Sequence, residues 1–327
     1  MQALRSLTFA CRGFVDFTKG GYERASRRFD PADLDPGCNL RGCHCIVTGA
    51  NQGIGYATAA ALAQRGAHVH MVCRSRARGE AARASLAAEA GEGGAVELHV
   101  ADLADLDGVR AVAGWFEGRN EAVHRLVNNA GCMVHGQRSC SPQGHEYNFA
   151  ANTLGTHALT ELLLPSLRRA GGDARVVTVS SAGMLTERLV TEPSAMESFT
   201  GGDATQQYAR SKRHQVALTE RWARLHGGGG AMGVGFYSMH PGWADTQGVK
   251  DALPGFHKAL RGSLRGPAEG ADTVVWLCVA PQERLEEGAF YLDRAPQPKH
   301  VWPGGTSYGE ADVDRLAESL STLAGLA

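Results

Sequence analysis

Three glycines in the stretch VTGANQGIG, Val47 to Gly55, constrain this chain more than any other feature. They fall where the apolar run CHCIVTG, which reads as a buried strand, hands over to the helical run IGYATAAALAQRG, closed by Gly66. A strand that turns directly into a helix at Gly49, Gly53 and Gly55 carries no Cβ on the inside of the turn. It also aims helix N–H groups at whatever sits there, which makes a cradle for a pyrophosphate. The same pattern continues downstream. AHVHMVCR, VELHVADL, VHRLVNNAG, RVVTVSS, MGVGFYSMHPG and GAFYLD read as further strands, and helical stretches surround Asn152, Lys212 and Trp276 between them. Strands separated by helices form parallel units joined by right-handed crossovers. The expected fold is therefore α/β, a doubly wound parallel sheet of about seven strands flanked by helices. No repeat or dividing linker interrupts it, and Gly227 to Gly230 reads as a flexible turn between a helix and a strand. The expected organisation is an N-terminal extension over 1–40 and one domain over 41–327.

The chain of 327 residues, 43% apolar, is long enough for a full core, and its net charge of −1 exerts no pull toward nucleic acid. Its eight cysteines are scattered singly apart from Cys43 and Cys45, and no secretory signal precedes them. Reduced thiols and an intracellular, cytoplasmic location are expected. Cys43-His44-Cys45 lacks the second ligand pair of a structural zinc site and runs into a buried strand, so no metal is expected there. No apolar run reaches the ~18 residues of a membrane-spanning helix.

The first thirty residues carry six basic side chains (Arg5, Arg12, Lys19, Arg24, Arg27, Arg28) against three acids (Asp16, Glu23, Asp30). Leu4, Leu7, Cys11 and Phe14 repeat at helical spacing. Three readings compete: a helix packed on the domain, a peripheral membrane anchor, and an organellar targeting segment. Packing is the default, because apolar stripes mostly face cores.

The glycine spacing, G-x₃-G-x-G behind Thr48, resembles the loop T-G-x-x-x-G-x-G of the short-chain dehydrogenase/reductase family. The resemblance implies a Rossmann-type fold in which Thr48, Gly49, Asn51, Gly53, Ile54 and Gly55 border a nicotinamide dinucleotide. Cofactor choice follows from the end of the second strand, where an acid would accept from the adenosine ribose and repel a 2′-phosphate. Here Cys73 is followed by Arg74, with Arg76 and Arg78 close behind, so NADP(H) is expected over NAD(H). Gln52 stands where NADP-using relatives often have a cation. The resemblance further implies cofactor contacts from Asp102, from Asn129, Ala130 and Gly131 of the N-N-A-G motif, and from Pro241, Gly242 and Thr246 of P-G-x-x-x-T.

Four residues match the family's catalytic set in chain order: Asn152, Ser181, Tyr208 and Lys212. A free phenol, with a pKa near ~10, hardly ionises at neutral pH. A cation ~6 Å away at an effective dielectric of ~20 favours phenolate by ~2–3 kcal/mol, roughly two pKa units. The i,i+4 spacing puts Lys212 on the same helix face as Tyr208. Tyr208 is expected as acid–base, Lys212 as its tuner and a ribose contact, Ser181 as the oxyanion donor, and Asn152 in a proton relay. Arg210 and Arg213 read as solvated surface.

Beyond Thr246 a flap over about 244–265 offers Leu253, Phe256 and Leu260 as an apolar lining, which suggests a lipophilic substrate. The insertion from Thr186 to Asp203 should shape its mouth. FTKGGYE, NNAGCMV, NFAANTLG, LTERWA, SMHPGWADT and GAFYLDR resemble one subgroup of the family across nearly the whole chain. The expected function is NADP(H)-dependent hydride transfer to or from a lipophilic carbonyl or alcohol, in a protein that forms homo-oligomers as family members usually do. The competing expectation is a non-catalytic dinucleotide-binding module on the same fold.

Overall fold

The computed structural model describes residues 1–34, 39–228 and 233–326. Its central sheet contains β1 (His44–Thr48), β2 (His68–Cys73), β3 (Ala95–Val100), β4 (Arg125–Asn128), β5 (Ala174–Val179), β6 (Val234–Met239), β7 (Phe290–Leu292) and β8 (Ala295–Pro296). The spatial order is β8-β7-β6-β5-β4-β1-β2-β3. Every neighbouring pair is parallel except the last, where the two-residue β8 folds back antiparallel on β7. β4, β5 and β6 are buried at every position, as a parallel sheet covered on both faces requires.

One face is covered by α3 (Gly53–Gln64), α4 (Arg76–Glu89) and α10 (Pro267–Val279), through Leu62, Leu86 and Leu277. The other is covered by α5 (Leu106–Gly118), α6 (Gly155–Arg169), α7 (Thr205–His226) and α11 (Glu310–Leu323), through Phe116, Leu163, Trp222 and Leu316. Two short helices, α8 (Gln247–Ala252) and α9 (Pro254–Leu260), form the segment after β6. Because β1 lies between β2 and β4, the chain reverses direction across the sheet there, and a crevice opens at the carboxyl ends of those strands. Of the glycine turn expected over 227–230, Gly229 and Gly230 lie outside the described residues.

The N-terminal segment forms α1 (Gln2–Arg12), a π-type turn over Gly13–Phe17 and α2 (Lys19–Ser26). It packs on the domain by the face opposite to the expected one. Leu4, Leu7 and Phe14 are 38%, 61% and 62% exposed, and Cys11 is exposed too, whereas Arg5 and Phe17 are buried. Backbone fit and hydrogen bonding decide this. A Cβ on Gly13 would collide with the indole of Trp243, so only that face lets the helix approach closely. The Trp243 backbone N–H donates to the Phe17 carbonyl at 2.7 Å, and the Lys19 backbone N–H to that of Ser263 at 2.8 Å.

Arg265 holds the joint together. Its guanidinium donates to the carbonyls of Phe17 (3.1 Å), Thr18 (3.2 Å) and Asp16 (2.6 Å), and to both Asp293 carboxylate oxygens (2.6 and 2.9 Å). Replacing it with Met orphans those carbonyls and a nearly buried carboxylate. We expect Arg265→Met to cost about 3–5 kcal/mol in urea unfolding and to expose the Arg12–Lys19 segment to trypsin. An unchanged midpoint with an intact N-terminus would place the anchor elsewhere.

Candidate active site

The cradle begins at Thr48, fully buried at the end of β1. Its hydroxyl accepts the N–H groups of Asn129 (3.0 Å) and Ala130 (2.9 Å) and donates to the Val127 carbonyl (3.3 Å). The Asn129 amide in turn donates to the Thr48 carbonyl at 2.8 Å. These bonds clamp the loop after β1 to the loop after β4. Gly49 and Gly53 adopt φ of +66° and +58°, which side chains disfavour. Gly55 leaves room for the Asn129 amide, which a Cβ there would strike. Asn51 and Ala50 present their N–H groups to the Cys73 thiol, which burial nonetheless pushes up to about 11. Ile54 is partly buried against the core beside Gly270. A cradle that three Cβ atoms would obstruct or strain, at the head of α3, fits a dinucleotide pyrophosphate.

Asp102 lies at the far end of the crevice, accepting the Tyr147 hydroxyl at 2.8 Å and the Ala104 N–H at 2.9 Å. Arg74, expected from the sequence to favour a 2′-phosphate, already has neighbours of its own. It donates to the Tyr147 hydroxyl and comes within 4.0 Å of Asp102, although its side chain remains 57% exposed. Tyr147 stands 73 residues away, so local sequence gave no sign of this contact.

At the other end, the helix leading into α6 opens into a π turn over Ala150–Leu154, which contains Asn152. Such turns re-aim side chains and backbone at functional sites. Asn152 clasps Cys132 in both directions: its amide donates to the Cys132 carbonyl (2.7 Å) and its oxygen accepts the Cys132 N–H (2.8 Å). Lys212, 2% exposed, donates to the Val179 carbonyl at 2.8 Å and to the Gln215 amide oxygen at 3.0 Å. Gln215 then donates to the Asn152 carbonyl at 2.7 Å, so one amide bridges lysine and asparagine. A Cβ on Gly131 would lie 3.2 Å from the Asn152 Oδ1 and 3.4 Å from the Lys212 Nζ, so this glycine keeps the space between them open.

The Lys212 ammonium sits 5.3 Å from the centre of the Tyr208 ring. Burial holds the Tyr208 phenol above its usual range and pushes Lys212 down to about 8. Desolvation, not the lysine's charge, is thus the dominant influence on the phenol in this pocket. The two serines after β5 differ in their bonding. Ser180 is buried and donates to the Lys212 carbonyl at 2.8 Å, whereas Ser181 caps the next turn, accepting the Gly183 N–H at 3.1 Å. Pro241 and Gly242 follow β6, where Gly242, with φ of +75°, leaves room for Arg265. Thr246 caps α8, and its methyl lies 3.2 Å from where a Cβ on Gly53 would be.

Two readings of the α7 helix need correction or addition. Arg213 is fully buried, not solvated, and donates to the carbonyls of Met184 (3.1 Å), Glu187 (3.2 Å) and Lys299 (2.6 Å). Gln215 went unnoticed, although its position three residues after Lys212 puts it on the same helix face.

A doubly wound sheet with a glycine cradle at its switch point and a tyrosine–lysine pair beside it defines a nicotinamide-dependent oxidoreductase. The chain belongs to the short-chain dehydrogenase family, whose model matches residues 44–255. It is 43% identical over 325 residues to dehydrogenase/reductase SDR family member 12 of Bos taurus, covering 99% of each chain. It is also 33% identical over 257 residues to retinol dehydrogenase 11 of Mus musculus, 78% of each. Among solved structures it resembles a putative NAD(P)-dependent gluconate 5-dehydrogenase from Beutenbergia cavernae with bound NADP. The TM-score is 0.61 at 27% identity, over 77% of this chain and 95% of that one.

The clamp itself is testable. Thr48→Val keeps the shape but leaves two loop N–H groups without an acceptor, and we expect a loss of about 2–3 kcal/mol in urea unfolding. Dinucleotide affinity, followed by quenching of intrinsic fluorescence, should weaken in parallel. Wild-type values for both would remove the clamp from the account.

Proposed function

We propose that this chain is an NADP(H)-dependent oxidoreductase acting on a lipophilic carbonyl or alcohol, with Tyr208 as acid–base. The observation that carries the reading is the chain from partly buried Tyr208 through buried Lys212, Gln215 and Asn152, set beside the cradle. Thr48, Gly49, Asn51, Gly53, Ile54, Gly55, Asp102, Asn129, Ala130, Gly131, Pro241, Gly242 and Thr246 line the dinucleotide. Arg74, mostly exposed, swings from Asp102 and Tyr147 toward a 2′-phosphate. Bound there, the dinucleotide supplies or takes up the hydride.

Tyr208 donates its proton to the carbonyl oxygen in reduction and accepts one in oxidation. A phenol raised by burial stays protonated at neutral pH, the form that reduction needs. Lys212 binds ribose hydroxyls as a compact donor, and its charge favours phenolate once the proton has left. Ser181 orients the substrate oxygen. Gln215 fixes the ammonium, so Lys212 keeps one direction through the cycle.

The outward stripe of α1 extends the reading to a lipid surface. Phe14, Trp243 and Phe256 form a continuous edge-to-face row, with centroid distances of 5.5 and 5.1 Å, from the stripe to the flap. Lys19, two residues after Phe17, and Lys258 and Arg261, close in sequence to Phe256, are exposed, with no acidic partner among the described residues. An apolar stripe with unpaired cations nearby suits an anionic bilayer, from which a lipophilic substrate would reach the flap directly.

Three expectations follow from this reading. A panel of hydrophobic aldehydes and ketones should be turned over with NADPH at lower Kd than with NADH, and Tyr208→Phe should lower kcat/KM at least ~100-fold. Equal turnover by the variant would remove Tyr208 from the chemistry. Reduction should hold through neutral pH and fall above about 8, where Lys212 loses its charge, while oxidation rises with pH. The full chain should co-float with phosphatidylserine vesicles, and Leu7→Glu with Phe14→Glu should abolish this without changing turnover of a soluble carbonyl. Loss of turnover alongside flotation would show that the pair of substitutions damages the fold.

A further inference from the structure

The far end of the sheet carries a feature that the oxidoreductase chemistry does not use. His44 and His68 open β1 and β2, and His70 follows two residues later. Alternation puts His68 and His70 on one face of β2, and the parallel register sets His44 beside His68 and Glu97 beside His70. His99, two residues after Glu97, completes the row on β3. Each of His44, His68 and His70 offers a ring nitrogen, and these atoms all lie within 4.8 Å of one another.

We propose that His44, His68 and His70 form a binding site for a divalent transition ion of the zinc class. A histidine pair at i and i+2 of a strand with a third on the adjacent strand places three ring nitrogens together on one side of the sheet. That number leaves a fourth position for water. The His44 Nδ1 and His70 Nε2 are 3.0 Å apart. Nitrogens bound tetrahedrally at ~2.0–2.1 Å are about 3.3 Å apart, so the pair need open only slightly.

The other ring nitrogens already have partners that would hold the required tautomers. The His44 Nε2 lies 3.5 Å from the Glu121 carboxylate, and the His70 Nδ1 lies 3.0 Å from the His99 Nε2. Such outer contacts orient ligand imidazoles and make them better donors. His70 is wholly buried, while the His68 side chain is 31% exposed, which gives an ion and its water a way in. The Trp115 and Phe116 rings pack against His70 at 5.2 and 4.8 Å and close the site's inner side. Because the ion would join the opening residues of two strands, at the opposite end from Thr48 and Cys73, its effect would be on stability, not on hydride transfer.

The test uses the full chain, freed of metal by dialysis against a chelator, with zinc titrated in competition with a chromogenic chelator. One zinc per chain should bind with a Kd below about 1 μM and raise the thermal midpoint, while Mg²⁺ does neither. His68→Asn should weaken binding about 100-fold and Glu121→Gln about 10-fold, both with an unchanged metal-free far-UV spectrum. Cys43→Ser should bind zinc like wild type, and X-ray absorption should show nitrogen and oxygen neighbours only. Binding weaker than about 10 μM would overturn the proposal, leaving the imidazoles as a hydrogen-bonded row. Equal affinity in His68→Asn, or its loss in Cys43→Ser, would overturn it too.

Discussion

A single hydroxyl ties together the two halves of this fold. Thr48 accepts two backbone N–H groups from the loop after β4 and donates back to that strand. The bonds span the point where the chain reverses its direction across the sheet, so they set the width of the crevice that any ligand must enter. A serine would keep the acceptor but lose the methyl that fills a site with no exposure. The glycines beside it then become intelligible: with the loop pinned this tightly, Gly55 has no room for a Cβ against the Asn129 amide.

The electrostatics of the site follow from how little water reaches it. A lysine near a phenol lowers its pKa when both stay hydrated, but here Lys212 is buried and Tyr208 partly so, and both resist charging. Held at about 8, Lys212 is still an ammonium at neutral pH, and the amide of Gln215 gives it a dipole in place of lost solvent. On the proposed reading, the protonated phenol is the form that reduction would use at neutral pH.

The alternation of strands and helices was legible because its periods are local: two residues for strands, 3.6 for helices, and a glycine turn between them. The residues of the candidate site could be named only through the family's motifs, with the four-residue spacing of Tyr208 and Lys212 as its local signature. Their partners could not. Arg213 looks like any surface cation in QQYARSKRHQ, yet it is buried by carbonyls from Met184, Glu187 and Lys299, two of them decades of residues upstream and one far downstream. Arg74 meets Tyr147 only after β4 has been laid in place. The α1 stripe misled for a different reason: apolar periodicity says which face is greasy, but Gly13 and the carbonyls that Arg265 needs decided which face docks. The histidine row was written in plain alternation, but it becomes a cluster only when the register aligns three strands.

The Arg265 joint also sets an order of events during synthesis. Asp16, Phe17 and Thr18 leave the ribosome well before their partners, since Arg265 and Asp293 come about 250 and 275 positions later. At 5–20 residues per second the N-terminal helix waits on the order of ten seconds or more for its dock, with Leu4, Leu7, Phe14 and even Phe17 bare to the medium. A nascent chain therefore carries this apolar stripe undocked while most of the domain is still being made. Whatever meets it in that interval, a holdase or a lipid surface, has access to the helix before the enzyme exists.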